Sequence, residues 1–425
     1  MSKELFLESR GFSGVNLRSS ESRLKGPLIG QERPAILELR EAKNFDITDL
    51  LTLRQRPGKE KKLELVAAHS GVSFGGKIIL QANGSLLRVT PKNWTSETLV
   101  SGLNPNALVS FAEVQGSLYW MNGEVMGKIT ESGNNNWGLE RPWRVQAAAN
   151  GNGDFDAGEY QVALTFLKNG EESGATISSK ISVPQGGGIS LSFLPQGGDT
   201  IRVYLSRTNG GEGMFRHSDW PLGTTSLELR KVQPMGKRLT TQFANKPPVG
   251  HIVRYFDGRL LIARGNTIFF TMPQQYGLCR LRRDFLPPFS ARIRMIRPVD
   301  GGFFVDAGEL FFVKKGEVPE LMFPLGRENS CVEGSDIEVP GFWFGENIPG
   351  NVGFWWTQQG WPVIGLGDGS VLPIGKERMA APRFDAGASL AREREGLRNL
   401  LTAMKGPGSS FACTDTLEAT VRIRQ

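Results

Sequence analysis

Six arginines fall within CRLRRDFLPPFSARIRMIRP, residues 279–298: Arg280, Arg282, Arg283, Arg292, Arg294 and Arg297, against one acid, Asp284. A guanidinium is permanently charged and carries a planar fork of donors that matches phosphate and carboxylate, so the chemistry of such a cluster is anion binding. In ARIRMI, Arg292 and Arg294 alternate with Ala291, Ile293 and Met295. On a strand this spacing sends both guanidinium groups to one face and the apolar residues to the other. The six arginines are therefore the candidate residues for facing nucleic acid or a protein partner. The competing reading is a solvated strand face, or a network with acids elsewhere in the chain. RQRPGKEKK, residues 54–62, is a second basic stretch and reads as an exposed turn.

Sequences that would support catalysis come close and fail. GVSFGGKI, residues 71–78, has phosphate-loop spacing up to Lys77, but Ile78 stands where a magnesium-binding Ser or Thr belongs and a strand follows where a helix should begin. It reads as a hairpin. Asn152, Asp154, Asp156 and Glu159 crowd one loop, with too few carboxylates and the wrong spacing for calcium. His69, His217 and His251 stand alone, and no Gly-x-Ser-x-Gly nucleophile elbow occurs. The expectation is a protein that is not an enzyme, with no cofactor and no metal. Carboxylates brought together from distant strands would be the exception.

Composition points the same way. The 425 residues include 53 Gly, 24 Pro, 25 Phe and 9 Trp, which favours many short strands with frequent turns and an ample aromatic core. A net charge of +7 permits contact with nucleic acid or an acidic surface without requiring it. Cys279, Cys331 and Cys413 are far apart and odd in number, which argues against a disulfide framework or a zinc site. Charged residues occupy the N-terminal stretch where a signal peptide needs an apolar run, and no segment is long enough to span a bilayer. A soluble chain made in a cytosol is expected.

One unit recurs. Residues 76–90 (GKIILQANGSLLRVT), 116–130 (GSLYWMNGEVMGKIT), 258–271 (GRLLIARGNTIFFT) and 302–313 (GFFVDAGELFFV) each read as Gly, an apolar run, a second Gly and another apolar run. Residues 353–374 give a looser copy, and 387–401 (GASLAREREGLRNLL) fits either the same template or a short helix. Leading glycines at 76, 116, 258, 302 and 353 are separated by 40, 142, 44 and 51 residues. A period of about 40 to 50 residues built from short strands is the mark of propeller blades, whose sheets bury their faces against neighbouring blades. The long step contains about a hundred extra residues, with strands at 159–167, 174–183, 188–194, 200–208 and 224–230 and a turn every ten or so. That is the rhythm of a fibronectin type III or immunoglobulin-like β-sandwich inserted between blades, with 231–250 as the return linker. The expected fold is all-β: a β-propeller-like repeat of four-stranded blades with one inserted sandwich. The expected division is an N-terminal arm over 1–34, the first part of the propeller-like domain over 35–140, the sandwich over 141–235, and the second part over 236–425.

In order along the chain, five short signatures resemble one family. EAKNFDITDLLTLRQRPG (41–58) leads a strand into an Arg-x-Arg-Pro-Gly turn at Arg54, Arg56, Pro57 and Gly58. AGEYQVALTFLKNGEESGAT (157–176) carries Gly158, Tyr160, Thr165, Gly170, Glu172 and Ser173. IRVYLSRTNGG (201–211), FDGRLLIARGNTIFFTMPQQYGL (256–278) and VDGGFFVDAGELFFV (299–313) follow. Together they resemble the tail nozzle and tail-tube terminator proteins of short-tailed phages, including the packaged-DNA stabilisation proteins. The more apolar ITDLL at 47–51 departs from the family pattern, and the C-terminal hairpin matches it loosely.

The resemblance implies a virion structural protein of the phage tail, synthesised in the host cytoplasm. Such proteins form a ring, usually a homohexamer, below the adaptor that meets the portal. The ring surrounds the channel that retains packaged double-stranded DNA and passes it at ejection. The partners implied are further copies of the chain, the tail adaptor or portal-proximal protein, tail fibre, spike or needle proteins, and the passing DNA, held without sequence preference. A second reading, from the tryptophans of GFWFGENIPGNVGFWWTQQGW (341–361), is a carbohydrate-binding or carbohydrate-cleaving propeller with an accessory sandwich. It requires Trp343, Trp355, Trp356 and Trp361 to be exposed rather than filling a blade core.

Overall fold

Short turns of left-handed backbone set the strand pattern. Gln115 and Gly116 have φ of 49° and 69°, and Asp257 and Gly258 have 47° and 75°. This is the geometry of the two-residue hairpin turn whose twist matches that of the flanking strands. Gly76, Gly116 and Gly258 each lead into the second strand of an antiparallel sheet: Lys77–Ala82, Ser117–Met121 and Arg259–Arg264. The phosphate-loop look-alike at 71–78 is one of these hairpins, with Phe74 paired to Lys77.

The computed structural model describes residues 12–15, 18–19, 37–39, 45–47, 52–55 and 60–423, apart from 144, 177–179, 211–212, 233–235, 317–321, 380–381, 395–396 and 408–415. Most of the arm expected over 1–34, the turn residues Arg56, Pro57 and Gly58, and Cys413 lie outside the described residues. The protein is all-β, with a propeller-like repeat of four-stranded antiparallel sheets in plain sequential order, over 69–100, 110–135, 295–326 and 337–373. The sheet over 252–270 has three strands. The chain divides into two compact units, with divisions at 107/108 and 288/289.

In the unit formed by 1–107 and 289–425, the 295–326 and 337–373 sheets share a buried cluster that includes Met295, Phe304, Phe312, Trp355 and Val363. The 337–373 sheet also packs against Leu400 and Met404 of a long hairpin, Ala386–Arg394 with Leu397–Lys405. This resolves the helix-or-hairpin ambiguity at 387–401. Leu400, Thr402 and Met404 are buried at every second residue, the period of a strand, while Leu390 on the paired strand is 61% exposed.

In the unit formed by 108–288, the 110–135 and 252–270 sheets bury one cluster containing Tyr119, Met121, Trp137, Val253, Leu260, Ile262 and Tyr276. The Trp137 indole donates to the Tyr276 carbonyl at 2.8 Å. These sheets are separated in sequence by the residues of two further sheets, so the compact unit forms around the intervening segment instead of ending at its borders. The first of those sheets contains Gln146–Phe155, Gly187–Ser192 and Ser226–Leu229. The second is centred on Gly158–Lys168, which pairs with Thr200–Ser206 and Lys180–Val183. Alternate residues Tyr160, Val162, Leu164 and Phe166 meet Phe155, Ile189, Leu191 and Leu229 in one apolar cluster. Burying each such side chain stabilises the fold by about 1.5–3 kcal/mol. The opposite face of the second sheet is covered in part: Ala163 and Tyr204 pack with Ala175, Met214 and Leu239.

Candidate anion-binding groove

The six candidate arginines fall into two groups with different surroundings. Arg292 and Arg294 do not stand on a strand, because the strand begins at Met295. The strand is shorter than expected, yet the expected segregation holds: Ile293 and Met295 are buried while Arg292 and Arg294 point to the surface, and the Arg294 N–H donates to the Asp306 carbonyl of the neighbouring strand at 2.7 Å. Arg292 pairs with Glu333 at 2.9 Å and Arg294 with Asp306 at 3.5 Å. Arg297 does lie on the strand Met295–Val299, and it is buried. Its Nε donates to the Asp336 carboxylate at 3.0 Å and its Nη2 to the Asp336 carbonyl at 3.0 Å. Gly353 makes this possible: a Cβ there would stand 2.6 Å from the Arg297 stem. The leading glycine of the looser repeat is thus an interior strand residue that admits a side chain and does not form a turn. Arg297 is withdrawn as a partner-facing residue, because a buried charge already satisfied by a carboxylate has nothing to offer a ligand.

Arg280, Arg282 and Arg283 behave otherwise. They line a cavity of about 790 Å³ together with Arg141, Arg238, Leu239, Thr240, Gln242, Phe243, Asn245 and Leu281. None of these five arginines forms an ion pair with a described carboxylate. Five arginines thus line one concavity whose lining has no acid, an arrangement for attracting anions; the Arg280 Nη2 also donates to the Thr240 carbonyl at 3.4 Å, and the Arg238 guanidinium lies beside Gly213.

Two segments build the walls. Backbone bonds from the Arg283 and Asp284 N–H groups to the Arg280 carbonyl, at 2.9 and 2.8 Å, close a tight turn that presents residues 280–283. The facing wall, 238–245, is the segment read from sequence as a return linker, and it is pinned throughout. Leu239 N–H donates to Met214 O at 2.8 Å, and Ala175 N–H donates to Thr241 O at 3.2 Å. Asn245 and Cys279 exchange two backbone bonds of 2.8 Å, which join one wall to the start of the other. Thr241 and Ala244 are buried, which leaves Phe243 between them turned outward and 62% exposed. Phe243 has φ of 63°, a left-handed conformation that costs a phenylalanine about 1–3 kcal/mol and persists only where the surroundings impose it.

The signature NGEESGAT contributes to that imposition. The Ser173 hydroxyl donates to the Gly174 carbonyl at 2.9 Å and accepts from Phe166 N–H at 2.8 Å. A Cβ on Gly174 would lie 1.9 Å from the Ala244 carbonyl oxygen, so only glycine permits this approach. Glu172 accepts from the Thr165 and Tyr204 hydroxyls, each at 2.7 Å, and Tyr160 donates to the Asp156 carbonyl at 3.0 Å. These residues hold the sheet and the wall and do not line the groove. Arg141 and Arg238 were missed in the sequence because each is an isolated arginine. The one available hint was that Arg238 belongs to the basic GKR at 236–238.

The other candidates resolve into structure. Trp343, Trp355, Trp356 and Trp361 are all buried, and the Trp355 and Trp356 indoles donate to Asn329 O and Thr402 Oγ1 at 2.9 and 3.0 Å. The carbohydrate reading loses its stacking platform there. His69 hydrogen-bonds Ser70 Oγ and Pro105 O, each at 2.9 Å, and burial lowers its pKa. Burial pushes the Cys279 thiol up to about 12, and Cys331 is raised for the same reason. Among the described residues no group of three His, Cys, Asp or Glu side chains is placed to hold a metal ion, and no helix is long and apolar enough to cross a membrane.

Comparison with family models finds no match, and neither does comparison with curated proteins. Among solved structures the chain is similar to the N-terminal domain of Nup159, at 10% identity and a TM-score of 0.33, covering 84% of this chain and 76% of that one. It is similar to the Neurospora crassa Pan2 WD40 domain, at 8% identity and a TM-score of 0.32, covering 79% and 86%. It is also similar to the AfRom2 CNH domain, at 8% identity and a TM-score of 0.27, covering 85% and 95%.

Proposed function

We propose that the chain is a non-enzymatic structural protein of a phage tail, of the nozzle or tail-tube terminator kind, acting in a ring that surrounds the DNA channel next to the adaptor. The observation that carries this reading is the collinear set of signatures resembling that family. One of them, AGEYQVALTFLKNGEESGAT, runs along the central strand Gly158–Lys168 and into the Gly174 contact that fixes the groove wall. A signature that packs one segment against another suits a protein selected for shape and surfaces. Ring partners would be further copies of the chain, and flat sheet edges and loops would dock the adaptor and the fibre, spike or needle proteins.

Mixing the purified chain with a phage adaptor–portal assembly and imaging by electron microscopy tests the assignment. A ring of added density below the adaptor is the expected result. A chain that remains unattached at micromolar concentration, or that hydrolyses glycans, would remove it. Neutralising the more exposed of the pair, Arg292→Gln, is expected to leave ring formation nearly intact, because that side chain is already engaged within the chain by Glu333.

A further inference from the structure

We propose that the groove between 238–245 and 280–283 binds unpaired nucleotides, with phosphates held by Arg141, Arg238, Arg280, Arg282 and Arg283 and a base stacked on Phe243. This inference rests on the anion-facing role proposed above for the groove and not on the tail assignment.

Three features select this ligand among anions. The first is size. A cavity of about 790 Å³ is in the range of pockets for small ligands, so it admits the sugar, phosphate and base of a single strand but not the body of a duplex. The second is Phe243, an exposed ring on the same lining as the arginines and held outward by buried Thr241 and Ala244. Charge alone would serve a carboxylate-rich peptide equally well, but an aromatic face adds stacking, which every unpaired base can use and a base inside a duplex cannot. The third is the pair of amides at Gln242 and Asn245 on the same lining, which offer donors and acceptors to base edges. Arginine also stacks on bases, so the turn at 280–283 could hold a second base without any new element.

The test uses the full-length purified chain and a fluorescent twelve-nucleotide oligothymidine, read by anisotropy across a salt series. Saturable binding is expected, at least tenfold tighter than to a duplex of equal length and at least tenfold tighter than to polyglutamate. If all five arginines engage phosphates, log K should fall with log salt at a slope of about −3.5. Replacing Arg282 and Arg283 by Gln should reduce that slope by about 1.4. Phe243→Ala should weaken binding about tenfold and leave the slope unchanged. Phe193→Ala, which removes another highly exposed phenylalanine that does not line the cavity, should change nothing. A 5-iodouracil oligonucleotide should photocrosslink the unmodified protein within 238–245 or 280–283, a readout independent of whether any variant folds. Equal affinity for duplex would overturn the proposal, as would equal affinity for polyglutamate, which would mark the groove as a dock for an acidic protein. So would the absence of saturable binding at low salt, or crosslinks elsewhere. Failure here with an intact ring on the adaptor would leave the tail assignment standing, and the reverse result would leave the groove standing.

Discussion

Two arginine-rich regions lie within twenty residues of each other in sequence and meet opposite fates. In the 295–326 sheet, Arg297 is enclosed, with its guanidinium fixed to Asp336 and its stem laid across Gly353. Arg294 just before it serves the fully buried Asp306, whose pKa is raised by burial and pulled back by Arg294 and by backbone N–H groups. In the groove, Arg280, Arg282 and Arg283 have no described carboxylate partner and share one concavity with Arg141 and Arg238. A run of like charge in sequence therefore does not define a patch. What decides is whether the fold delivers a carboxylate to each guanidinium, and those acids come from residues 12 to 41 positions away or not at all.

The sharpest way to break the contrast is at Arg297. Arg297→Ala leaves the Asp336 charge buried without its partner and should cost about 3–5 kcal/mol in urea unfolding. Replacing both residues by apolar side chains should recover much of that loss. Gly174→Ala comes next: the new Cβ must displace the Ala244 carbonyl, at a cost of about 1–3 kcal/mol, and should weaken oligonucleotide binding by moving the Phe243 wall. Third is a pH effect. The Arg202 guanidinium, bonded to Asp219 at 2.8 and 2.9 Å, with Arg216 beside it, holds the Asp219 carboxyl below its ordinary range. With the folded value lowered, the stabilisation is present above the ordinary carboxylate pKa and is lost as pH falls through the lowered value. Asp219→Asn should therefore remove about 1 kcal/mol at neutral pH and flatten the acid limb of a stability–pH curve. The smallest stability effect belongs to the groove itself: replacing Arg282 and Arg283 by Gln should change unfolding by less than about 0.5 kcal/mol each. A large loss there would mean that these charges are structural after all, and the contrast with Arg297 would collapse.

A chemical probe adds to this. Native protein treated with iodoacetamide near neutral pH should show Cys279 and Cys331 unmodified by peptide mass spectrometry, and both modified in denaturant. Burial keeps the two thiols protonated, and Cys279 is further held by its position where the two groove walls join.

Local pattern was enough for much of the architecture. Glycine-led hairpins followed by apolar runs located Lys77–Ala82, Ser117–Met121 and Arg259–Arg264, because a two-residue left-handed turn and a period of two are written into adjacent residues, and the apolar run alone located Gly302–Asp306. The strands at 158–168, 187–192, 200–206 and 226–229 were legible for the same reason. Gln146–Phe155 was not: its QAAANGNGD stretch has no β-branched residue and is held in place by pairing with 187–192. The groove was half legible. Arg280, Arg282 and Arg283 stood out by density, whereas Arg238 and Phe243 join them only because a segment that reads as a linker folds back, and Arg141 arrives from a third segment. Residue types and turns are local, so the sequence determined the strands, the glycine positions and the excess of guanidinium groups. Pairing a charge or leaving it open depends on residues far apart in the chain, and only the tertiary structure decided which arginines are satisfied and which face outward.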